Sequence, residues 1–434
     1  MEITCLAAGF DGTHVMTGTW LDTIKALRGP DRQNLVDAYV FLERYCNDGS
    51  ISGFDRTVPE RYSPFTKKAT FELPILELDR YRLIQIGEIP YLWARDTLLA
   101  GKLPMPIHPV SENDLISSHP ALGGVSQFTI PVIPTSSGRT VMHTSGRETP
   151  HFIKLHYPYE IGRFGRELKL HKWLSGLENS RELRQHEVEF PRGLAYLDEH
   201  SGVYYEGEHP IGGFGAIFRD FRPRPPRNNS PLLVPTFSLY AERGRPSGYR
   251  PLLVDLLEVL TKGRARLDDF LQVLIRPVLE CYRFLTLDLG LIPEAHSQNT
   301  LLECDLESCV VRVVFRDLGD IFKDYSIRCA RRLHTSFCSY KCLDPRQDAD
   351  IFQRRSFAFD FKLGYYLLEP MCRCFADATG VAVNNVIPAV RELSVSLWKD
   401  ADDYFEDSAH WYCYPPERGV NRDSYERRSK PLFR

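Results

Sequence analysis

The stretch Leu291–Asp320, LIPEAHSQNTLLECDLESCVVRVVFRDLGD, decides how the rest of the chain is read. Its centre, Glu294-Ala295-His296-Ser297-Gln298-Asn299, sets five polar side chains in six residues. A short apolar run (Thr300–Leu302), an acidic turn (Glu303–Ser308) and a β-branched run (Val310–Phe315) follow, and the second run ends in Arg316-Asp317. The pattern predicts a polar loop, then a β-hairpin, then a charged pair carried back beside the loop. A hairpin with buried faces is the rigid support a reacting loop needs. His296 with Glu294 can serve as an acid–base pair or as metal ligands. Asn299 and Asp317, on either side of the hairpin, can share an oxygen-liganded divalent ion. The plainer alternative is a hydrogen-bonded loop before an ordinary hairpin.

Upstream of this stretch, apolar residues from Phe270 to Leu285 recur at spacings of three and four, predicting helix over Leu267–Leu287 with a kink or break at Pro277. Helix is also expected over Leu252–Leu260, around Ser356–Ala378 and Val386–Tyr404, and from Trp20 to Cys46 with an interruption at Gly29-Pro30. Strands are expected at Phe71–Leu78, Tyr81–Ile86, Phe128–Ile133, His151–His156, Gly202–Gly207, Gly215–Phe221 and Leu232–Tyr240. Further helices are expected around Leu92–Ala100 and from Phe164 to Leu177. Pro104, Pro106, Pro109 and Pro120 suggest a long irregular connection, and the tail from Tyr414 shows no periodicity and reads as loosely ordered. These breaks suggest three regions: 1–125, 126–250, and 251–434 carrying the loop 291–320.

Three further clusters carry chemistry. Ser136-Ser137-Gly138-Arg139-Thr140 sets hydroxyls, a flexible backbone and a guanidinium in one turn after a strand, a combination that can wrap a phosphate, although it is not a P-loop. Lys154 lies in the middle of the apolar-flanked strand Phe152–His156, where a lysine either faces solvent or meets an anion. Arg163 and Arg166 fall near the start of the helix expected from Phe164, where a basic residue suits a bound phosphate or carboxylate, or a surface ion pair with Glu160 or Glu167. Arg219-Asp220 ends a strand and either reaches the same cleft or forms an exposed ion pair.

Bulk composition excludes more than it identifies. The 434 residues carry a formal net charge of −3, so nothing global points to nucleic acid or an anionic membrane. No apolar run approaches the ~18–20 residues of a membrane span, and no secretory signal is evident. The 11 cysteines include no C-x-x-C pair and no zinc-spaced histidine, so free buried thiols in a reducing cytoplasm are expected.

Laid out in order, these pieces resemble the siderophore synthetases that work without a nonribosomal peptide synthetase (NIS synthetases), the aerobactin-synthetase-like IucA/IucC family. Glu294-Ala-His-Ser-Gln-Asn-Thr-Leu-Leu is similar to its E-x-H-x-Q-N-x-[LV] loop, with Arg316-Asp317 at the family's distance. Ser137-Gly-Arg139-Thr140 resembles its S-x-R-T motif, and Lys154 with Arg166 twelve residues on resembles its strand lysine and following arginine. Pro106-Ile-His108-Pro109 is similar to its P-V-H-P segment, and Phe218–Pro223 to its R-[ED]-x-P strand end with one extra residue. The resemblance runs from about Phe54 to Tyr404.

It implies an α+β, three-lobed hand-like fold (thumb, fingers, palm) with antiparallel sheets and a helical C-terminal half. It further implies an ATP- and Mg²⁺-dependent ligase that adenylates a carboxylic acid and passes the acyl group to an amine or hydroxyl. Carried over, Ser137, Arg139, Thr140, Lys154, Arg166, Gln298, Asn299 and Asp317 would bind ATP. Glu294, Asn299 and Asp317 would hold Mg²⁺. His296, Arg166 and Lys154 would be catalytic, and His108, His156, Arg163 and Arg219 would face the substrate. A homodimer in the cytoplasm fits the same family. The departures are a shorter N-terminal region without the H-P-x-H-P stretch, Gly162 in place of a threonine, and Val110-Ser111 in place of Trp-Gln. The competing readings are a small-molecule kinase, although its loop would lack an aspartate base, and a non-catalytic family member.

Overall fold

The computed structural model describes residues 19–28, 35–47, 58–66, 68–90, 101–122, 127–144, 150–161, 164–207, 212–227, 231–242, 250–336, 341–346, 350–405, 409–415 and 425–434. The helix expected at Leu92–Ala100 and the site candidate Arg163 lie outside them. Two helices, α1 (Trp20–Arg28) and α2 (Leu35–Arg44), come first. They are followed by strands β1 (Phe71–Asp79), β2 (Leu83–Ile86) and β3 (Lys102–Pro106) and by helix α3 (Glu112–Ser118). Strands β4 (Gln127–Pro134), β5 (Thr140–His143) and β6 (His151–Leu155) lead into helix α4 (Leu170–Gln185). After it come β7 (Leu194–Tyr196), β8 (Ser201–Tyr205), β9 (Phe214–Asp220) and β10 (Leu232–Pro235), and later the hairpin β11 (Thr300–Asp305) and β12 (Val310–Phe315).

Eight strands form one antiparallel sheet in the order β2-β8-β9-β6-β5-β4-β1-β3. A second sheet, β10-β11-β12-β7, is antiparallel except for the parallel pair β12–β7. The α+β class with antiparallel sheets is as expected. The stretch 1–125 is shared out differently: β1–β3 belong to the same sheet as strands from after residue 125, while Ile24, Phe41 and Leu42 of α1 and α2 join the core of the C-terminal helices.

Four expectations change. Pro104 and Pro106 lie in a regular strand, not in an irregular connection. Strand β3 is the outermost strand, and prolines two residues apart turn their missing N–H groups to the same side, so the unpaired edge absorbs both. The helix expected from Phe164 starts at Leu170, because Glu160-Ile161 and Phe164-Gly165 pair as a tiny hairpin and Leu168 is buried under Trp173 and Ile217 instead of in a first helical turn. The strand expected over Leu232–Tyr240 stops at Pro235 and continues as a 3₁₀ turn. The tail is not loose throughout: Glu426–Ser429 pairs with His410–Cys413, and Phe433 is buried.

That tail closes on an ion pair. Arg434 Nε donates to Asp360 Oδ2 at 2.8 Å, and both side chains are more than nine-tenths buried. Burial pushes the Asp360 carboxyl up to about 6, against the opposing pull of Arg434. Arg434→Ala strands a buried carboxylate and is expected to lower stability by about 3–5 kcal/mol at pH 7.5. The loss should be smaller at pH 5, where Asp360 takes up a proton, and urea unfolding at the two pH values checks it.

Pro277 is accommodated without a break. A π-helical stretch, Phe270–Ile275, precedes the α-helical turn opened by Arg276-Pro277, and a second one, Phe284–Asp288, delivers the chain to Leu291. The hairpin then alternates as a two-faced strand pair should. Leu302, Cys304, Val313 and Phe315 enter the helical core, while Leu301 and Val314 pack with Tyr39, Phe152 and Phe221. Its turn is held by Asp305 Oδ1, which accepts from the Glu307 and Ser308 amides at 3.0 and 3.1 Å. Among the described residues, the nine cysteines are free thiols and no helix is long and apolar enough to cross a membrane.

Candidate active site

Lys154 sits mid-strand in β6, opposite Thr140 of β5 on one side and Ile217 of β9 on the other. Its buried ammonium bonds Asp317 Oδ1, which the hairpin carries across from the second sheet. Arg219 lies 3.5 Å from the same oxygen and 2.5 Å from Glu199 Oε1, so β9 and the β7–β8 connection meet there too. Asp317 holds a left-handed backbone, φ 67°, a conformation aspartate tolerates better than most residues. Burial alone would raise its pKa, but Lys154, Arg219 and Arg139 outweigh that and hold it at about 2. Gly319 follows at close quarters, where a Cβ would stand 3.5 Å from Lys154 Nζ.

The turn before β5 is internally wired. Ser137 Oγ accepts from the Thr140 amide at 3.0 Å, and Gly138 supplies the positive φ, 71°. Arg139 donates to the Arg166 carbonyl at 2.9 Å, tying the turn to the extended segment before α4. Arg166 therefore precedes the helix instead of standing at its N-terminus. One Arg166 nitrogen, NH2, reaches the Ile161 carbonyl (3.2 Å), while the buried Nε has no partner among the described residues.

In the polar loop, His296 Nδ1 accepts from the Gln298 amide at 3.2 Å, which leaves the neutral ring's proton on Nε2, 3.6 Å from Glu294 Oε2. Burial lowers the His296 pKa, with Glu294 opposing. Glu294 is itself 2.5 Å from Lys362, in the middle of a twelve-residue π-helical stretch, Phe357–Leu368. Burial would raise the Glu294 carboxyl, but Lys362 and His296 hold it well below the usual range. Thr236 pins the loop by donating to the Ser297 and Thr300 carbonyls, at 3.0 and 2.9 Å. The Asn299 side-chain amide has no partner among the described residues, although it is 6% exposed.

A clamp that the sequence reading missed joins these parts. Glu43 of α2 accepts from the Ser136 hydroxyl at 2.5 Å and the Ser136 amide at 3.2 Å. The same carboxylate stands 3.1 Å from Arg316 NH2 and accepts from Tyr39 at 2.9 Å. Arg316 Nε in turn donates to the Gln298 carbonyl at 2.7 Å. One buried carboxylate thus locks the phosphate-type turn, the polar loop and the hairpin end together. Also missed were Lys172, Lys341 and Asp320. Lys341 is 2.7 Å from Asp320, and Lys172, whose pKa is lowered by burial, senses Asp320, Arg139, Lys341 and Lys154. The cleft is therefore a dense field of cations around two neighbouring aspartates.

The structure separates two candidates from this group. His108 is wholly buried, edge-on to Tyr62 and Tyr157, with Nδ1 accepting from the Val110 amide. His156 turns to a different cavity, described below. Burial drives His108 down to about 3, and His143 and His156 to about 4. In the unfolded chain each ring titrates near 6.5, so between that pH and the folded values the unfolded state binds more protons and stability rises with pH. Stability is expected to fall by up to about 1.4 kcal/mol per pH unit per ring as pH drops below 6.5, about 4 for the three together. Urea midpoints from pH 7.5 to 5 measure it; a flat profile contradicts it.

As a polyanion site the cleft fits: Lys154, Arg139, Arg219 and Lys172 converge on it with hydroxyls and backbone amides. For a divalent ion, Asp317 and Asp320 are neighbouring oxygen donors whose charges sense one another, but each is also ion-paired, with Lys154 and Lys341. Glu294, expected as a third ligand, is engaged by Lys362. No group of three His, Cys, Asp or Glu side chains able to hold a metal stands among the described residues.

Residues 85–241 match the sequence model of the IucA / IucC family, a span that includes Lys154, Arg166 and Arg219 but not the loop at Glu294. No curated protein matches the sequence. The fold is similar to that of ATP-bound aerobactin synthetase IucA from a hypervirulent pathotype of Klebsiella pneumoniae (TM-score 0.67, 16% identity, 87% of this chain and 72% of that one). It is similar to petrobactin biosynthesis protein AsbB from Bacillus anthracis str. Sterne (TM-score 0.67, 16% identity, 91% and 75%). Aerobactin synthetase IucC from the same Klebsiella source gives a TM-score of 0.60 at 19% identity, over 88% of this chain and 74% of that one. The chain thus resembles the IucA / IucC family over residues 85–241 and shares the fold of these solved structures along most of its length.

Proposed function

We propose that the chain is an ATP-dependent ligase that adenylates a carboxylic acid and transfers the acyl group to an amine or hydroxyl, giving an amide or ester. The observation that carries this reading is the meeting of Lys154, Arg219 and Asp317 between the two sheets, beside the neutral, Nε2-protonated His296. Attack of the carboxylate on the α-phosphate builds negative charge, and preorganised cations in a water-poor cleft are the strongest way to stabilise it. Lys154, Arg139 and Arg166 would hold phosphate oxygens, with Ser137 and Thr140 shaping the turn. His296 would donate from Nε2 to the acid's oxygen, and Asp317 would keep Lys154 in place. Mg²⁺, when bound, would neutralise phosphate charge, with Asp317 and Asp320 as its protein oxygens.

The relatives' names, aerobactin synthetase and petrobactin biosynthesis protein, support siderophore-like assembly as the class of pathway. The test is a hydroxylamine-trapping screen over dicarboxylic, tricarboxylic and amino acids with ATP and Mg²⁺. A hydroxamate formed with stoichiometric AMP and pyrophosphate is the expected result. ADP as the product overturns the reading in favour of a kinase, and no ATP turnover with any acid favours a non-catalytic member.

A further inference from the structure

A second cavity, of about 450 Å³, opens at the end of β6, where α3, the N-terminus of α4 and the start of β9 meet. None of Lys154, Arg166, His296 and Asp317 lines it. His156 does, and its ring is nine-tenths buried. Its Nδ1 accepts from the Leu168 amide at 3.2 Å, so the neutral ring carries its proton on Nε2. That N–H makes no hydrogen bond to another described residue, and since His156 lines the cavity, something bound there can accept from it.

The surroundings say what that something is. Lys169 and His171 stand at the mouth, at the first turn of a sixteen-residue helix whose N-terminus is positive. Lys169, at the N-cap position, supplies no capping bond. Tyr204 lies there too, with backbone hydrogen bonds at Leu170 and Gly213 opposing the rise that burial gives its pKa. Both acidic residues of the rim are engaged: Glu167 is 2.9 Å from Lys169, and Asp114 accepts from the Tyr159 hydroxyl. Burial is the main reason His156 and His171 titrate low, and neighbouring cations add to it: Arg139, His119 and Lys169 for the first, Lys172 and Lys169 for the second. For His156 the one opposing charge is Glu167.

We propose that this cavity is a carboxylate-binding site, separate from the phosphate cleft, that takes one carboxylate of a small organic or amino acid at the His156 Nε2–H beside the N-terminus of α4. The site does not depend on the ligase reading, because binding is expected without ATP or Mg²⁺. It lies close to the reacting centre all the same: His156 is two residues beyond Lys154, about 7 Å along the strand.

Calorimetric titration of the full chain with citrate, succinate, L-glutamate and inorganic phosphate, all without nucleotide, tests it. At least one of the three carboxylates is expected to bind. Its affinity should fall about tenfold or more in His156→Gln, a few-fold in Lys169→Ala, and less than about twofold in Lys154→Ala. Lys169 is 57% exposed, so its variant keeps the test open if His156→Gln fails to fold. In the wild-type chain, the ring C–H signals of His156 and His171 should titrate at higher pH when the carboxylate is saturating, since a bound anion favours imidazolium. Binding that is lost in Lys154→Ala but unchanged in Lys169→Ala and His156→Gln places the anion in the cleft and overturns the proposal. So does phosphate alone binding, no carboxylate binding, or histidine titrations that do not move.

Discussion

Lys154→Ala is expected to reduce carboxylate-dependent exchange of pyrophosphate into ATP by at least about a hundred- to thousandfold, the range found when one preorganised donor to a developing oxyanion is removed. The effect should lie in kcat, since the charge Lys154 meets is fully developed only as the α-phosphate is attacked. The fold should survive. Asp317 keeps Arg219 at 3.5 Å, and Thr140 and Ile217 still pair with position 154 through the backbone. Near-wild-type circular dichroism with exchange lost is therefore the expected pair of readings. Exchange within tenfold of wild type would remove Lys154 from the chemistry and leave it a structural partner of Asp317.

Glu43→Ala is expected to act through both stability and activity. The carboxylate is 2% exposed and faces Arg316, itself 6% exposed, so its removal leaves a buried guanidinium unpaired at a cost of about 3–5 kcal/mol. It also releases the Ser136 amide and hydroxyl, the anchor of the turn that carries Ser137, Arg139 and Thr140. Exchange should drop even where the variant is still folded, because a clamp between the two sheets sets the spacing of Lys154 and His296. Urea unfolding gives the first quantity and exchange at low temperature the second. Glu43→Gln, which keeps an oxygen for Ser136, should recover part of the activity. Full activity in Glu43→Ala would show that the cleft is held together by other contacts.

Much of this architecture was legible in the chain. The hairpin could be read because a short apolar run and a β-branched run flank an acidic turn that carries Asp305, and its role follows from bringing Asp317 back to a polar loop. Lys154 could be read in part, because a lysine flanked by apolar strand residues either faces solvent or meets an anion, and here Asp317 supplies the anion. Glu43 could not. The whole of Asp37–Arg44 is buried, so α2 has no solvent face, and a carboxylate in a helix reads as a surface charge unless its partner 273 residues away is known. Lys362 was hidden for a different reason: a π-helical stretch breaks the 3.6-residue count by which helix faces are assigned. Arg166 was placed on a helix because Leu168 looked like the first apolar residue of the periodic pattern, whereas it packs beneath α4 from an extended segment. His156 continues the Lys154 strand in sequence yet serves another cavity, a division set by where β6 ends.

The central claim is that the acid's oxygen attacks the α-phosphate of ATP, and the most direct measurement is the fate of that oxygen. A carboxylic acid that supports turnover, labelled with ¹⁸O in its carboxyl group, is to be incubated with ATP, Mg²⁺ and a nucleophile, and the products read by mass spectrometry. One ¹⁸O in AMP for each amide or ester formed is the expected result. Label in inorganic phosphate alongside ADP, or unlabelled AMP, would contradict it.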